Sequence, residues 1–450
     1  MNTLPLTEGW TNTRLFQLLW PLIVEQILNV TIGIVDTVMV STVGESAVSG
    51  VSLVDTINVL LIIAFGALST GGSVVVSQYI GRKDLKNASR ASKQLMHISL
   101  WVSLIIMGFT LLLYRLLLSF IYGTIAPEVR AAAETYFWIS ALGYPFLALY
   151  NAGASLFRSM GKSRVTMLVA LLVNGLNIGG NGLLIFGLQM GVAGAAIATL
   201  VSRVVAAVVL SALLMSCRAG PVSLAGISKT PLDFVMIRRI LHIGIPSGLE
   251  NSLFQIGKLL VSRLVSTFGT ASIAANAITG SIGSFIYMPG QAFGLAILTI
   301  VGQCIGARDY GGAKVYAKKL LCLAYGVLIC SNLLILVCRE PLVNCFSLSA
   351  EAQELTKRFL LIHCISSSIA WPLSFALPNA LRAAGDARYC MILAAVSMFT
   401  VRISLSYMLA SVFDLGAIGV WFGMAGDFLV RGIGYTWRWL QGRWQEKELI

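Results

Sequence analysis

The sequence predicts an all-α integral membrane protein, with twelve transmembrane helices in two six-helix bundles related by a pseudo-twofold axis along the membrane normal. Three observations carry that expectation. Of 450 residues, 57% are hydrophobic and only 11% charged, whereas soluble domains carry about 25% charged residues. Twelve apolar segments recur along the chain, and the second half repeats landmarks of the first at one offset.

A bilayer core of about 30 Å needs roughly 20 apolar helical residues, because a helix satisfies its own backbone where no water can. Segments that meet this need are 15–40, 47–80, 93–122, 132–157, 165–187, 191–216, 237–263, 271–304, 316–338, 354–381, 389–413 and 415–436. The second and eighth run long, so tilt or extension beyond the bilayer is expected. The mean hydropathy of +0.84 excludes a soluble globular enzyme. Forty-three glycines scattered through apolar runs fit helices that approach closely, not collagen or disorder. The first ten residues, MNTLPLTEGW, carry no basic n-region, so no signal peptide is expected.

Charge follows topology. With the N-terminus inside, 22 of the 32 Lys and Arg residues fall in inner segments and six in outer ones, with Arg203, Lys258, Arg402 and Arg431 inside spans. Basic loops resist translocation, so both termini are expected in the cytoplasm and the chain in the plasma (inner) membrane. The formal net charge of +13 therefore points to no nucleic-acid partner.

The internal repeat sets the domains. SQYIGRKD at 77–84 matches GQCIGARD at 302–309, and Pro21 with Glu25 matches Pro246 with Glu250, each at an offset of 225. RSMGKSR at 158–164 matches RAAGDAR at 382–388 at an offset of 224. Six spans per repeat bring both halves in from the same side. The expected division is an N-terminal lobe at 1–216, a polar linker at 217–236 and a C-terminal lobe with a tail at 237–450. Such bundles facing across a cleft suit an alternating-access carrier. Cys217 and the seven cysteines after residue 300 form no CxxC or Cys/His cluster; Cys338 and Cys345 flank an outer loop, and their spacing leaves pairing open.

Ionisable side chains near the bilayer centre cost about 2.5–3.5 kcal/mol each on insertion scales. Asp427 and Arg431 stand four apart on the last span, the spacing of a local ion pair. Lys258 lies five residues from Arg263 near an outer end and can snorkel, whereas Arg402 is too deep for that and needs a carboxylate or carbonyls. Asp36 lies in NVTIGIVDTVMV with no basic residue nearer on its own helix than Arg14. The cost of a bare carboxylate in oil suits it to take up and release a proton; permanent pairing with Arg203 or Arg402 is the bland alternative.

Glu25 precedes Asp36 by eleven residues, almost three helical turns, so both share a face about 16 Å apart. A face with two acids reads as cavity lining, which makes Glu25 and its repeat partner Glu250 cleft candidates. Asn174, Asn177 and Asn181 form one polar stripe in the fifth span, and Thr199 in the sixth supplies another oxygen. Amide oxygens ligate a hard monovalent cation or hold helices together. Asp55 and Asn58, three residues apart in the second span, rank low as lining.

Several of these residues carry a family resemblance: Asp36 with its neighbours Val35 and Thr37, the stretch 77–81, RSMGKSR, Asn177 to Asn181 leading into LLIFG and GAAIAT, 303–306, 381–388, RISLSY at 402–407 and 419–421. Together they resemble the multidrug and toxic compound extrusion (MATE) transporters over essentially the whole chain. The resemblance implies export of organic cations or drugs in exchange for inward H⁺ or Na⁺, with the coupling role falling on Asp36 and its polar neighbours Asn177, Asn181 and Thr199. A Na⁺ at Asp36 and Asn177 is one form of that site. Two departures stand out. Asn181 replaces an acid found in some members, and the second half lacks the matching acids, since Glu250 sits one turn early and 363–382 holds no carboxylate.

The leading expectation is a secondary antiporter of amphipathic, mainly cationic compounds, with Glu25, Glu250, Asn174 and Arg402 as cleft candidates. A flippase of lipid-linked precursors is the alternative with the same architecture. No GxxxxGKS/T, HExxH or GxSxG occurs, and His97, His242 and His363 are isolated, so neither ATP drive nor enzymatic activity is expected, and no cofactor beyond the coupling ion. No oligomer is required.

Overall fold

The computed structural model describes residues 10–123, 126–216, 220–346 and 348–450, and among them it holds helices and turns but no strand. By internal packing the chain divides into two compact units, Met1–Gly244 and Ile245–Ile450.

In the first unit α1 (Asn12–Ser41), α2 (Glu45–Gly81) and α3 (Leu85–Tyr122) are continuous. The fourth span, expected as one helix, is two: α4 (Pro127–Leu142) and α5 (Tyr144–Ser159). The break falls at Gly143, just before Pro145, whose ring removes a backbone donor from the ladder. α6 (Ser163–Asn181) runs into a π turn, Gly182–Gly187, and α7 (Gly191–Met215) follows. At 37 residues α2 is about 55 Å long, more than a bilayer core. Where α2 meets α4, a Cβ on Gly50 would stand 2.8 Å from Ala132, so close packing requires glycine there. Val54, Phe65, Phe137 and Tyr144 lie at the centre of this core.

α8 (Phe234–Ser266) leads into α9 (Thr270–Gly306), α10 (Tyr310–Val337) and the short α11 (Arg339–Asn344). α12 (Ala350–Trp371) continues through the π turn Pro372–Ala376 into α13 (Pro378–Ala383). α14 (Ala387–Val396) and α15 (Ser404–Tyr407) are separated by the π turn Ser397–Ile403, and a second π turn, Met408–Val412, precedes α16 (Gly416–Gln441). Ile286, Phe359, Cys364, Trp371 and Phe428 centre the second core. Nine helices among the described residues are long and apolar enough to cross a membrane by length and composition alone.

The repeated motifs build repeated turns. Asp84 caps α3 by accepting from the Asn87 backbone amide at 3.0 Å, and Asp309 caps α10 by accepting from Gly312 at 2.7 Å. The residues before them, Lys83 and Arg308, both adopt positive φ, 63° and 59°. Gly161 and Gly385 occupy matching left-handed positions at 72° and 89°, which let the chain reverse after Arg158 and Arg382.

Residues 220–233, expected as a linker, pack on the first unit. Gln94 donates to the Pro231 carbonyl at 2.8 Å and accepts from the Asp233 amide at 3.1 Å, while Arg90 pairs with Asp233 at 3.0 Å. Val222 and Leu224 are buried. Cys217 and Arg218 lie outside the described residues. Cys338 and Cys345 are both free thiols.

Candidate functional site

Four residues singled out in the sequence meet in the first unit. The Asn181 side-chain amide, at the last position of α6, donates to Asp36 Oδ1 at 2.5 Å and to Asn177 Oδ1 at 3.3 Å. Asn177 Nδ2 in turn donates to Thr199 Oγ1 at 3.1 Å. Three helices, α1, α6 and α7, are thus joined by one line of hydrogen bonds from Thr199 to Asp36. Helical spacing explains it, since Asn177 and Asn181 are four apart and face α1 together. Both asparagines are fully buried and Asp36 is half-buried.

Asp36 makes no ion pair among the described residues. Arg203 lies within electrostatic reach of both Asp36 and Asp55 but pairs with neither. Arg402, the other basic side chain weighed as a partner, instead stands by Asp427 at 3.7 Å. The Asn181 carbonyl oxygen is buried without a hydrogen-bond donor. One carboxylate beside neutral amide and hydroxyl oxygens suits a proton or a hard monovalent cation. Among the described residues, no three His, Cys, Asp or Glu side chains come together.

Asp55 and Asn58, ranked low in the sequence, form a second line of hydrogen bonds that also takes in Tyr144. Tyr144 donates to Asn58 Oδ1 at 2.9 Å, and Asn58 Nδ2 donates to Asp55 Oδ1 at 3.3 Å. This second line brings another carboxylate within electrostatic reach of Asp36. Tyrosines facing acids across an apolar span were the available signal.

Three cleft candidates are held elsewhere. Glu25 accepts from Arg158 Nη1 at 2.9 Å and from Thr166 Oγ1 at 2.6 Å, and only 1% of it is exposed. Its repeat partner Glu250 pairs with Arg382 at 2.8 Å. Glu25 is thus neutralised inside the protein by the Arg158 guanidinium of α5 and tied to α6 through Thr166. Asn174 turns back on its own helix and donates to the Ala170 carbonyl at 2.8 Å, outside the line of Asn177 and Asn181. Asp427 and Arg431 form the expected local pair at 2.8 Å, and Lys258 is exposed.

A protein-family model described as MatE matches residues 21–183 and again 246–408, two blocks displaced by the repeat offset. The chain belongs to the MatE family. It is a family of transporters, so the protein moves molecules and is not an enzyme. Among similar proteins, an uncharacterised transporter named YisQ from Bacillus subtilis is 27% identical over 96% of this chain and 95% of its own length. A probable multidrug resistance protein NorM from Thermotoga maritima is 25% identical over 97% of this chain and 94% of its own. A solved outward-facing multidrug resistance MATE family transporter of the MOP superfamily superposes with a TM-score of 0.90 at 20% identity, covering 97% of this chain and 96% of that one. That likeness shows the fold: twelve membrane helices in two lobes. The MatE protein is a multi-pass membrane transporter.

Proposed function

We propose that the chain exports small organic molecules across the plasma membrane in exchange for inward H⁺ or Na⁺, with Asp36 as the coupling residue. The observation that carries this reading is a carboxyl group tied through Asn181 and Asn177 to Thr199, with no ion pair to a basic side chain among the described residues. The relative named a probable multidrug resistance protein supports the choice of substrates.

The line of bonds has two states available to it. A charged Asp36 accepts from the Asn181 amide. A protonated Asp36 gains a donor, and the Asn181 carbonyl oxygen, buried without a partner, is an acceptor within the same side chain. Loading a proton therefore rewards rotation of the Asn181 amide, and a Na⁺ rewards the same rotation by gaining an oxygen ligand. Either change alters what holds α1 to α6. Each charge that moves inward supplies about 2.3 kcal/mol per 100 mV, so no nucleotide is needed. The Lys and Arg distribution supports cytoplasmic termini.

The test is ethidium export by the reconstituted chain, with luminal pH followed under separate Na⁺ and pH gradients. Wild type is expected to export under one gradient and Asp36→Asn, which mimics the neutral acid, to be silent while inserting normally and keeping its melting temperature. Undiminished export by Asp36→Asn overturns the coupling role, and the gradient that drives wild type names the ion.

A further inference from the structure

Four ionisable side chains converge within the second unit, and their charges do not cancel. Arg431 Nε donates to Asp427 Oδ1 at 2.8 Å, and Ser397 Oγ donates to the same oxygen at 2.5 Å. Arg402, from the π turn Ser397–Ile403, stands 3.7 Å from Asp427 Oδ2, beyond hydrogen-bond length. The two guanidinium groups lie 5.4 and 5.1 Å from the centre of the Phe254 ring. Lys258, one turn further along α8, is exposed and within electrostatic reach of Arg402. Two guanidinium groups thus share one carboxylate, and Lys258 adds a third positive charge near Arg402.

Among the described residues no second acid pairs with these arginines. Glu250, the nearest acid along α8, is taken by Arg382 at 2.8 Å. A guanidinium stays charged at any physiological pH, and Arg402 is only 6% exposed. Its Nε and Nη1 are both buried without a hydrogen-bond acceptor, and Asp427 Oδ2 receives no hydrogen bond. A helix clamp would be expected to use those donors; here two guanidinium donors are left without an acceptor. Its surroundings are apolar and aromatic, with Phe254 edge-on to Phe375 at 5.8 Å. Unsatisfied buried charge calls for an opposite charge from outside the chain.

We propose that this cluster is a subsite for an anionic group, a carboxylate or a phosphate, carried on an apolar body. The Arg402 fork receives the anion's oxygens, and Lys258 adds a point charge from the exposed side. Since this rests on the reading of the chain as an exporter of small organic molecules, a substrate it fits carries an acid at one end, alone or beside a cationic group.

The experiment measures binding, so its failure is separable from failure of transport. A rhodamine with a free carboxylate and its methyl ester are titrated, by fluorescence anisotropy, into the full chain in phosphatidylcholine nanodiscs. The acid is expected to bind more tightly than the ester, and Lys258→Gln to weaken the acid at least fivefold while leaving the ester unchanged. Arg402→Lys should do the same if it folds; Lys258→Gln, on an exposed side chain, decides the matter if it does not. Equal affinity of wild type for acid and ester, or equal losses for both in Lys258→Gln, overturns the subsite. Competition names the source of the anion. Displacement of the acid by phosphatidylglycerol in the discs assigns a lipid headgroup, displacement by inorganic phosphate a soluble phosphate, and displacement by neither an organic carboxylate. A chain that binds the acid selectively yet moves neither dye leaves the subsite standing and removes the export reading.

Discussion

In the first unit two carboxylates, Asp36 and Asp55, lie within electrostatic reach of one basic side chain, Arg203, whereas in the second Arg402 and Arg431 share the carboxylate of Asp427 and Lys258 stands near Arg402. Parts of the scaffold around them are repeated. Glu25 with Arg158 and Glu250 with Arg382 occupy repeat-related positions, and Asp84 and Asp309 cap matching helices. Duplication has kept the parts that hold helices together and let the interior charge diverge. The shared positions are ion pairs and caps that hold helices; the unshared ones are the interior charges of each unit.

The largest expected effect tests the shared part. Removing one partner of a buried ion pair leaves a charge uncompensated and costs about 3–5 kcal/mol. Glu25→Ala and Glu250→Ala should therefore both lower the melting temperature in detergent by similar amounts and cut the yield of folded protein. A large loss in one half and none in the other breaks the equivalence. Next comes an unshared position: Asn181→Leu keeps the fold but removes the amide between Asp36 and Asn177, and should reduce export at least tenfold, about 1.4 kcal/mol. Tyr144→Phe deletes one buried hydrogen bond to Asn58 and should cost about 1 kcal/mol of stability.

The smallest effect belongs to the caps. Asp84→Ala and Asp309→Ala should each cost about 1 kcal/mol or less. The Asn87 backbone amide, then its side chain, hold the Asp84 carboxyl below the usual carboxylate range. Its contribution is complete above the ordinary value of about 3.9 and fades as pH falls through the lowered folded value. The melting difference between wild type and Asp84→Asn should thus be constant from pH 8 to 5 and shrink near pH 3.

Apolar runs and a fixed offset made the helices and the twofold repeat legible before any coordinates, because burial in lipid constrains composition over 20 residues at a time. The line from Asp36 through Asn181 and Asn177 was half legible: the spacing of the asparagines put them on one face, but only packing put α1 against that face. Glu25 and Arg158 were both flagged by the repeat, yet 133 residues separate them and nothing in a linear pattern says that they touch. The π turns were invisible for a different reason. One extra residue per turn over five to seven residues does not alter an apolar run, so the bend that carries Arg402 leaves no trace in hydropathy.

The stretch from 220 to 233 constrains anyone who wishes to engineer this chain. Its grip on Gln94 spans both Pro231 and Asp233, so the junction behaves as a fitted part with a fixed length and not as slack rope. A reporter or protease site spliced there would prise a buried Val222 and Leu224 off their seat, and tags belong elsewhere.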